Sequence, residues 1–213
     1  SVFGKDGTAI LLDCRNLSHI EVKIPSGIRI VICDTNVSRT LSDSDYARRR
    51  EECDECAALL RDKNSEIEVL RDINIPLFED LKGSLPSPLQ QRCRFIVEEN
   101  QRVMDFTAAV VGNNREKMSR LCTASFKGMR DLYEKTVPAM ERMFEAMISG
   151  PGTIAARQSG GGFGGCMIAY VQEDQVKKFA EHVERSYRDV TSIEPKVYVT
   201  EPSSGAGVLK VDE

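Results

Sequence analysis

Five glycines in six positions, Gly160-Gly161-Gly162-Phe163-Gly164-Gly165, form the stretch of this sequence best suited to chemistry. Glycine lacks Cβ, so such density marks a backbone that takes positive φ or approaches something closely. A loop of that kind can turn its backbone N–H groups towards a ligand. Two phosphate-binding patterns can be tested against the spacing. Gly160-x-Gly162-x-x-Gly165 matches G-x-G-x-x-G. A dinucleotide loop, however, runs from a strand directly into a helix, whereas Cys166 to Val171 reads as a strand. A P-loop needs Lys and then Ser or Thr after its last glycine, and Cys166-Met167 stand there instead. On residue types alone two readings stay open: a loop that lines a ligand, and a tight turn packed on a neighbouring element.

Other residue groups carry less. Cys53-Asp54-Glu55-Cys56 has C-x-x-C spacing but falls mid-helix, without a second pair or a nearby histidine. A structural role is expected there rather than zinc or redox chemistry. The two histidines, His19 and His182, are far apart, and no metal ligands are expected in the chain. Arg48-Arg49-Arg50-Glu51-Glu52 reads as a solvated helix face with i,i+4 pairs, with Arg49 or Arg50 as the residue to brace a cleft. Met140, Met143 and Met147 at helical spacing read as core.

The elements that must position these residues follow from periodicity. Thr8 to Asp13, the alternating Ile20, Val22 and Ile24, and Ile28 to Cys33 read as strands. Their short connections, including Pro25-Ser26-Gly27, predict an antiparallel meander. Ser44 is placed to cap a helix over Asp45 to Leu60, with Cys53, Cys56, Ala57 and Leu60 on one stripe. Ile73, Ile75 and Leu77 are expected anchors of a less regular segment. Leu89, Cys93, Ile96, Val103 and Val110 mark a long helix stopped at Gly112, and Asn114 caps the next. Pro138 opens a helix that buries Met140, Met143, Phe144, Met147 and Ile148. Strands over Cys166 to Val171, Lys196 to Thr200 and Val208 to Val211 flank a helix carrying Val176, Phe179, Ala180, Val183 and Tyr187. The order is β-rich, then α-rich, then βαββ, which predicts an α+β fold with helices layered on an antiparallel sheet.

The 213 residues carry a net charge of −4 with 41% hydrophobic residues. That composition suits a globular chain with a sizeable core. It argues against a general nucleic-acid binder, and no apolar run reaches membrane-span length. Seven widely spread cysteines, an odd number, predict reduced thiols and a cytoplasmic setting.

Ala156-Arg157-Gln158-Ser159, followed by the glycine run and Cys166, resembles the third signature of the GHMP kinases in its galactokinase form. Thr35-Asn36-Val37 with Leu41, Ser44, Tyr46, Arg49-Arg50 and Cys53 resembles a second segment of that family. Phe3-Gly4-Lys5, Leu11 to Arg15, Leu70-Arg71-Asp72, Arg92 to Val103, Arg130 to Pro138 and Ser204-Gly205-Ala206 are similar as well. Departures stand at Gln158, Ser159, Ser38-Arg39, Phe126 and Ala139.

The resemblance covers nearly the whole chain. It implies that residues 1–213 are a GHMP-kinase C-terminal domain with a ferredoxin-like βαββ element, lacking the N-terminal domain with its ATP loop and catalytic base. It also implies ATP-dependent phosphorylation of galactose at the C1 hydroxyl with Mg²⁺, by a full-length protein. The partners are then a small sugar, ATP and the missing domain, with no nucleic acid and no membrane, and the 213 residues alone are inactive. Tyr46 is the implied sugar contact. Ser159, Gly160, Gly161, Gly162, Phe163, Gly164 and Gly165 are the implied loop beside phosphate and sugar. Without the resemblance Tyr46 reads as a core aromatic. A non-catalytic galactose and ATP sensor on the same scaffold, a stand-alone binding or dimerisation module, and kinases of N-acetylgalactosamine or arabinose are the alternatives.

Overall fold

The computed structural model describes residues 3–37, 43–160 and 162–207. The expected strand at Val208 to Val211, and Ser38, Arg39, Leu41 and Gly161, lie outside the described residues; Ser44, expected as the cap, falls inside a helix that already begins at Asp43, and its side chain is not described.

Strands β1 (Thr8–Leu12) and β2 (His19–Lys23) form an antiparallel hairpin in which Thr8 faces Lys23 and Leu12 faces His19. The expected meander stops there. Strand β3 (Ile28–Asp34) leaves the hairpin and enters a second sheet with β4 (Thr153–Gln158), β5 (Cys166–Gln172) and β6 (Lys196–Thr200). That sheet is antiparallel in the order β4-β5-β3-β6. The reason lies in β3 itself. Val31 and Cys33 point to one face and Ile28 to the other, and all three are buried. A strand apolar on both faces needs cover on both and a partner at each edge, which only an interior position supplies.

Between the strands run α1 (Asp43–Arg61), α2 (Ile75–Leu81), α3 (Leu89–Val111), α4 (Arg115–Asp131) and α5 (Pro138–Ile148), with α6 (Val176–Thr191) joining β5 to β6. Asn74 and Asn114 cap α2 and α4, accepting the N–H groups of Leu77 and Lys117 at 2.9 Å. Helices α5 and α6 cover one sheet face, where Met140, Met143, Met147, Phe179, Val183 and Tyr187 meet Val31, Cys33, Met167 and Ala169. Helices α3 and α4 cover the other, with Val110, Met118 and Cys122 against Ile28, Ile154 and Ala155. A third core of Cys56, Leu60, Phe78, Leu89, Cys93 and Val97 joins α1, α2 and α3. Ile75, Val103 and Ile148, expected inward, are exposed; Ile75 opens α2 and Ile148 closes α5, where the buried stripe has run out.

Two crossed ion pairs tie the hairpin to this helical layer. Arg71 binds Asp13, and Arg15 reaches Asp72 at 2.7 Å. The α+β architecture of helices on an antiparallel sheet is as expected. Among the described residues no helix is long and apolar enough to cross a membrane.

Candidate functional site

The glycine-rich loop connects β4 to β5, and its backbone is left-handed almost throughout. Gly160, Gly162, Phe163, Gly164 and Gly165 have φ of 75°, 88°, 59°, 120° and 84°. Only glycine takes such a run without strain at each step, and Phe163 is the one described side chain held in that region of the loop. The loop is pinned from three sides. Ser159 N–H donates to Cys166 O at 3.1 Å, and Gln158 Nε2 to Gly160 O at 3.1 Å. Thr35 at the end of β3 gives both its N–H and its hydroxyl to Gly165 O, at 3.2 and 3.0 Å. Tyr187 of α6 donates to Thr35 O at 2.9 Å, fixing that anchor. From the front, Phe163 N–H donates to Lys135 O at 3.1 Å and Gly164 N–H to Met140 Sδ at 3.2 Å. The N–H groups of Gly160, Gly162 and Gly165 have no acceptor among the described residues.

Lys135 lies in the connection between α4 and α5, with its side chain in a cavity of about 270 Å³. The wall is completed by Tyr133 and by Tyr46, Arg49, Arg50, Cys53 and Asp54 of α1. Positions 46, 49, 50, 53 and 54 recur every three or four residues, so a single face of α1 supplies all five. The Lys135 ammonium stands 4.8 Å from the ring centre of Tyr46, 5.4 Å from Tyr133 and 6.0 Å from Phe163. Ammonium groups are attracted to aromatic faces at such distances. Burial pushes the Lys135 ammonium below its ordinary pKa, and nearby Arg49 adds to the effect. Tyr133 stacks on Phe95 with ring centres 4.8 Å apart, and burial pushes its phenol well up.

Beneath the cavity is a charge network. Arg92, 1% exposed, reaches Glu52 at 3.0 Å and Glu134 at 2.6 Å and also bonds the Leu132 carbonyl. Arg49 joins Glu52 at 2.8 Å and Tyr133 O at 2.8 Å. These guanidinium forks fix the start of α1 against the segment that carries Tyr133 and Lys135.

Of the residues singled out from sequence, Tyr46 is at the mouth of the cavity, half exposed, and its hydroxyl has no hydrogen-bond partner among the described residues. Phe163 reaches the same ammonium from the loop side. Ser159, Gly160, Gly162, Gly164 and Gly165 are not in the cavity wall. Arg49 does brace the cavity. The Cys53–Cys56 pair divides, Cys53 opening to the cavity and Cys56 donating to Leu89 O at 3.3 Å in the core. Sequence reasoning missed Tyr133, Lys135 and Asp54. The available signal was a lysine directly after Tyr133-Glu134 in a segment already flagged by resemblance. Among the described residues no three His, Cys, Asp or Glu side chains gather into a metal site. A second cavity, of about 210 Å³, has mostly aliphatic walls from Leu11, Val22, Ile28 and Val110 and shares none of these residues.

Residues 107–189 match the family model described as GHMP kinases C terminal. A galactokinase from Roseiflexus sp. (strain RS-1) is 33% identical over 207 residues, covering 97% of this chain and 53% of that protein. The crystal structure of Lactococcus lactis galactokinase complexed with galactose superposes with a TM-score of 0.91 at 32% identity, covering 97% of this chain and 54% of that one. Mevalonate kinase of L. major in complex with R-mevalonate shares the fold, with a TM-score of 0.58 at 14% identity over 92% of this chain and 50% of its own. The chain spans about half the length of the relatives it matches.

Proposed function

We propose, for a chain that belongs to the GHMP kinases through its C-terminal domain at residues 107–189, that it forms one wall of a sugar-kinase active site. The reaction is transfer of the γ-phosphoryl group of ATP to the C1 hydroxyl of galactose. The opposite wall, with the nucleotide loop and the base, belongs to an N-terminal domain that precedes residues 1–213 in the full-length protein. The 213 residues alone are then inactive. Mg²⁺, when bound with ATP, would supply charge neutralisation. A cytoplasmic setting accompanies this reading, in keeping with seven free thiols.

The observation that carries the proposal is the convergence of Tyr46 and Phe163 on one ammonium. Phosphoryl transfer depends on positioning and charge compensation more than on covalent help. Each residue has a part in positioning. The Tyr46 hydroxyl, unbonded among the described residues, is available to a sugar hydroxyl. The pinned loop holds the Lys135 carbonyl, and the N–H groups of Gly160, Gly162 and Gly165, without an acceptor among the described residues, are available to anionic oxygens.

The test is incubation of the full-length protein with ATP, Mg²⁺ and galactose, followed by ³¹P NMR. Galactose 1-phosphate is expected. Binding of galactose and ATP without turnover would instead mark a sensor, and binding of neither would end the proposal.

A further inference from the structure

We infer that Lys135 is a specificity residue that receives an anionic group of the ligand bound in the 270 Å³ cavity, a carboxylate on the sugar or a phosphoryl group. This rests on the reading of that cavity as the sugar-kinase site and adds a class of ligand to it.

The charge balance around the cavity is incomplete. Arg49, Arg92 and Lys135, with the exposed Arg48 that also pairs Glu52, set four positive charges against two from Glu52 and Glu134. Arg49 and Arg92 are both engaged by those carboxylates. Arg50 and Asp54 lie on the rim 4.0 Å apart and offset each other. Lys135 Nζ has neither a carboxylate nor any other hydrogen-bond acceptor among the described residues. The residue as a whole is 7% exposed, its stem packed while the ammonium opens to the cavity. An ammonium on a cavity wall with no acceptor from the protein is open to an anionic oxygen brought by a ligand.

The geometry aims the unsatisfied charge at the ligand space. Tyr46, Tyr133 and Phe163 surround the ammonium, restricting the directions from which an acceptor can reach it. The main chain of the same residue is held by Phe163, so the point from which the side chain extends is fixed. An unpaired cation on the wall of a cavity discriminates between ligands by charge. A ligand that brings an anionic oxygen completes the site. A neutral sugar leaves the ammonium unpaired.

Calorimetric titration of the full-length protein with galactose, galacturonate and galactose 1-phosphate tests this, in wild type, Lys135→Met and Lys135→Arg. If Lys135 binds a sugar carboxylate, Lys135→Met lowers the affinity ratio of galacturonate to galactose at least tenfold. If it binds phosphate, the ratio of galactose 1-phosphate to galactose falls instead. Lys135→Arg retains the affected ratio. Equal loss for all three ligands, no change in either ratio, or a wild type that binds none of them overturns the inference. The kinase reading is scored separately by ³¹P NMR, so a protein that binds anions through Lys135 without turnover refutes only that reading.

Discussion

The backbone N–H of Phe163 donates to the carbonyl oxygen of Lys135 at 3.1 Å, so the glycine-rich loop rests on the residue whose ammonium enters the cavity. Loop conformation and cavity shape are therefore coupled through one peptide group. A Cβ on Gly162 would lie 2.6 Å from that same carbonyl oxygen, at a φ of +88° that side chains rarely adopt.

Gly162→Val follows directly. The added side chain displaces Lys135 or flips the loop, at a local cost of about 1–3 kcal/mol. The three hydrophobic cores do not include the loop, so the domain stays folded. Phosphoryl transfer by the full-length variant should fall at least tenfold while circular dichroism is unchanged. Global unfolding would show that the loop serves packing instead.

Arg92 is the second test. Its side chain is 2% exposed and carries Glu52 and Glu134. Removing one partner of a buried pair leaves an uncompensated charge, at a cost of about 3–5 kcal/mol. Arg92→Met should lower the urea midpoint accordingly. A shift below about 1 kcal/mol would mean that Glu52 finds water or Arg49 instead.

Acid stability gives the third. Burial alone would raise the Glu52 carboxyl, but Arg92 and Arg49 outweigh it and hold its pKa below the ordinary 4.5. A carboxyl depressed in the folded state contributes stability that is complete above its unfolded pKa and is lost as pH falls through the folded one. Asp72, held low chiefly by Arg15, acts in the same direction. Denaturation midpoints should be flat near neutrality and decline once pH falls below about 4.5. In Arg92→Met the decline should be shallower. Identical acid limbs in the two proteins would refute the role given to Arg92.

Thiol labelling supplies the fourth. Cys33, Cys56, Cys93 and Cys122 are buried, and burial pushes each thiol up to about 12. Reactivity follows the thiolate and its access. Cys14, exposed beside the hairpin, should take up iodoacetamide first, and those four should react only on unfolding, as read by peptide mass spectrometry. Early labelling of Cys56 or Cys93 would show that α1 opens in the native state.

The α+β class was legible because apolar periodicity changes cleanly between Ile28–Asp34, Leu89–Val111 and Cys166–Gln172. The glycine run was legible because glycine takes the positive φ of Gly160, Gly162, Gly164 and Gly165 without a Cβ penalty. Strand β4 was missed, since Ile154-Ala155-Ala156 has little intrinsic strand preference and is held by β5 and the helices on either side. The meander failed at β3, whose partners are more than 130 residues away in the chain, a pairing that local spacing cannot reveal. Lys135 was missed for a similar reason. Its neighbours in sequence say nothing of Tyr46 or Phe163, which reach it only through tertiary packing.

The most direct measurement is the galactose KM of the full-length Tyr46→Phe variant at saturating ATP. Tyr46 is half exposed and its hydroxyl bonds no described residue, so the substitution should leave thermal unfolding unchanged. A rise in KM of about tenfold, worth about 1.4 kcal/mol, is the predicted result. An unchanged KM would contradict the placement of the sugar against α1 and the account with it.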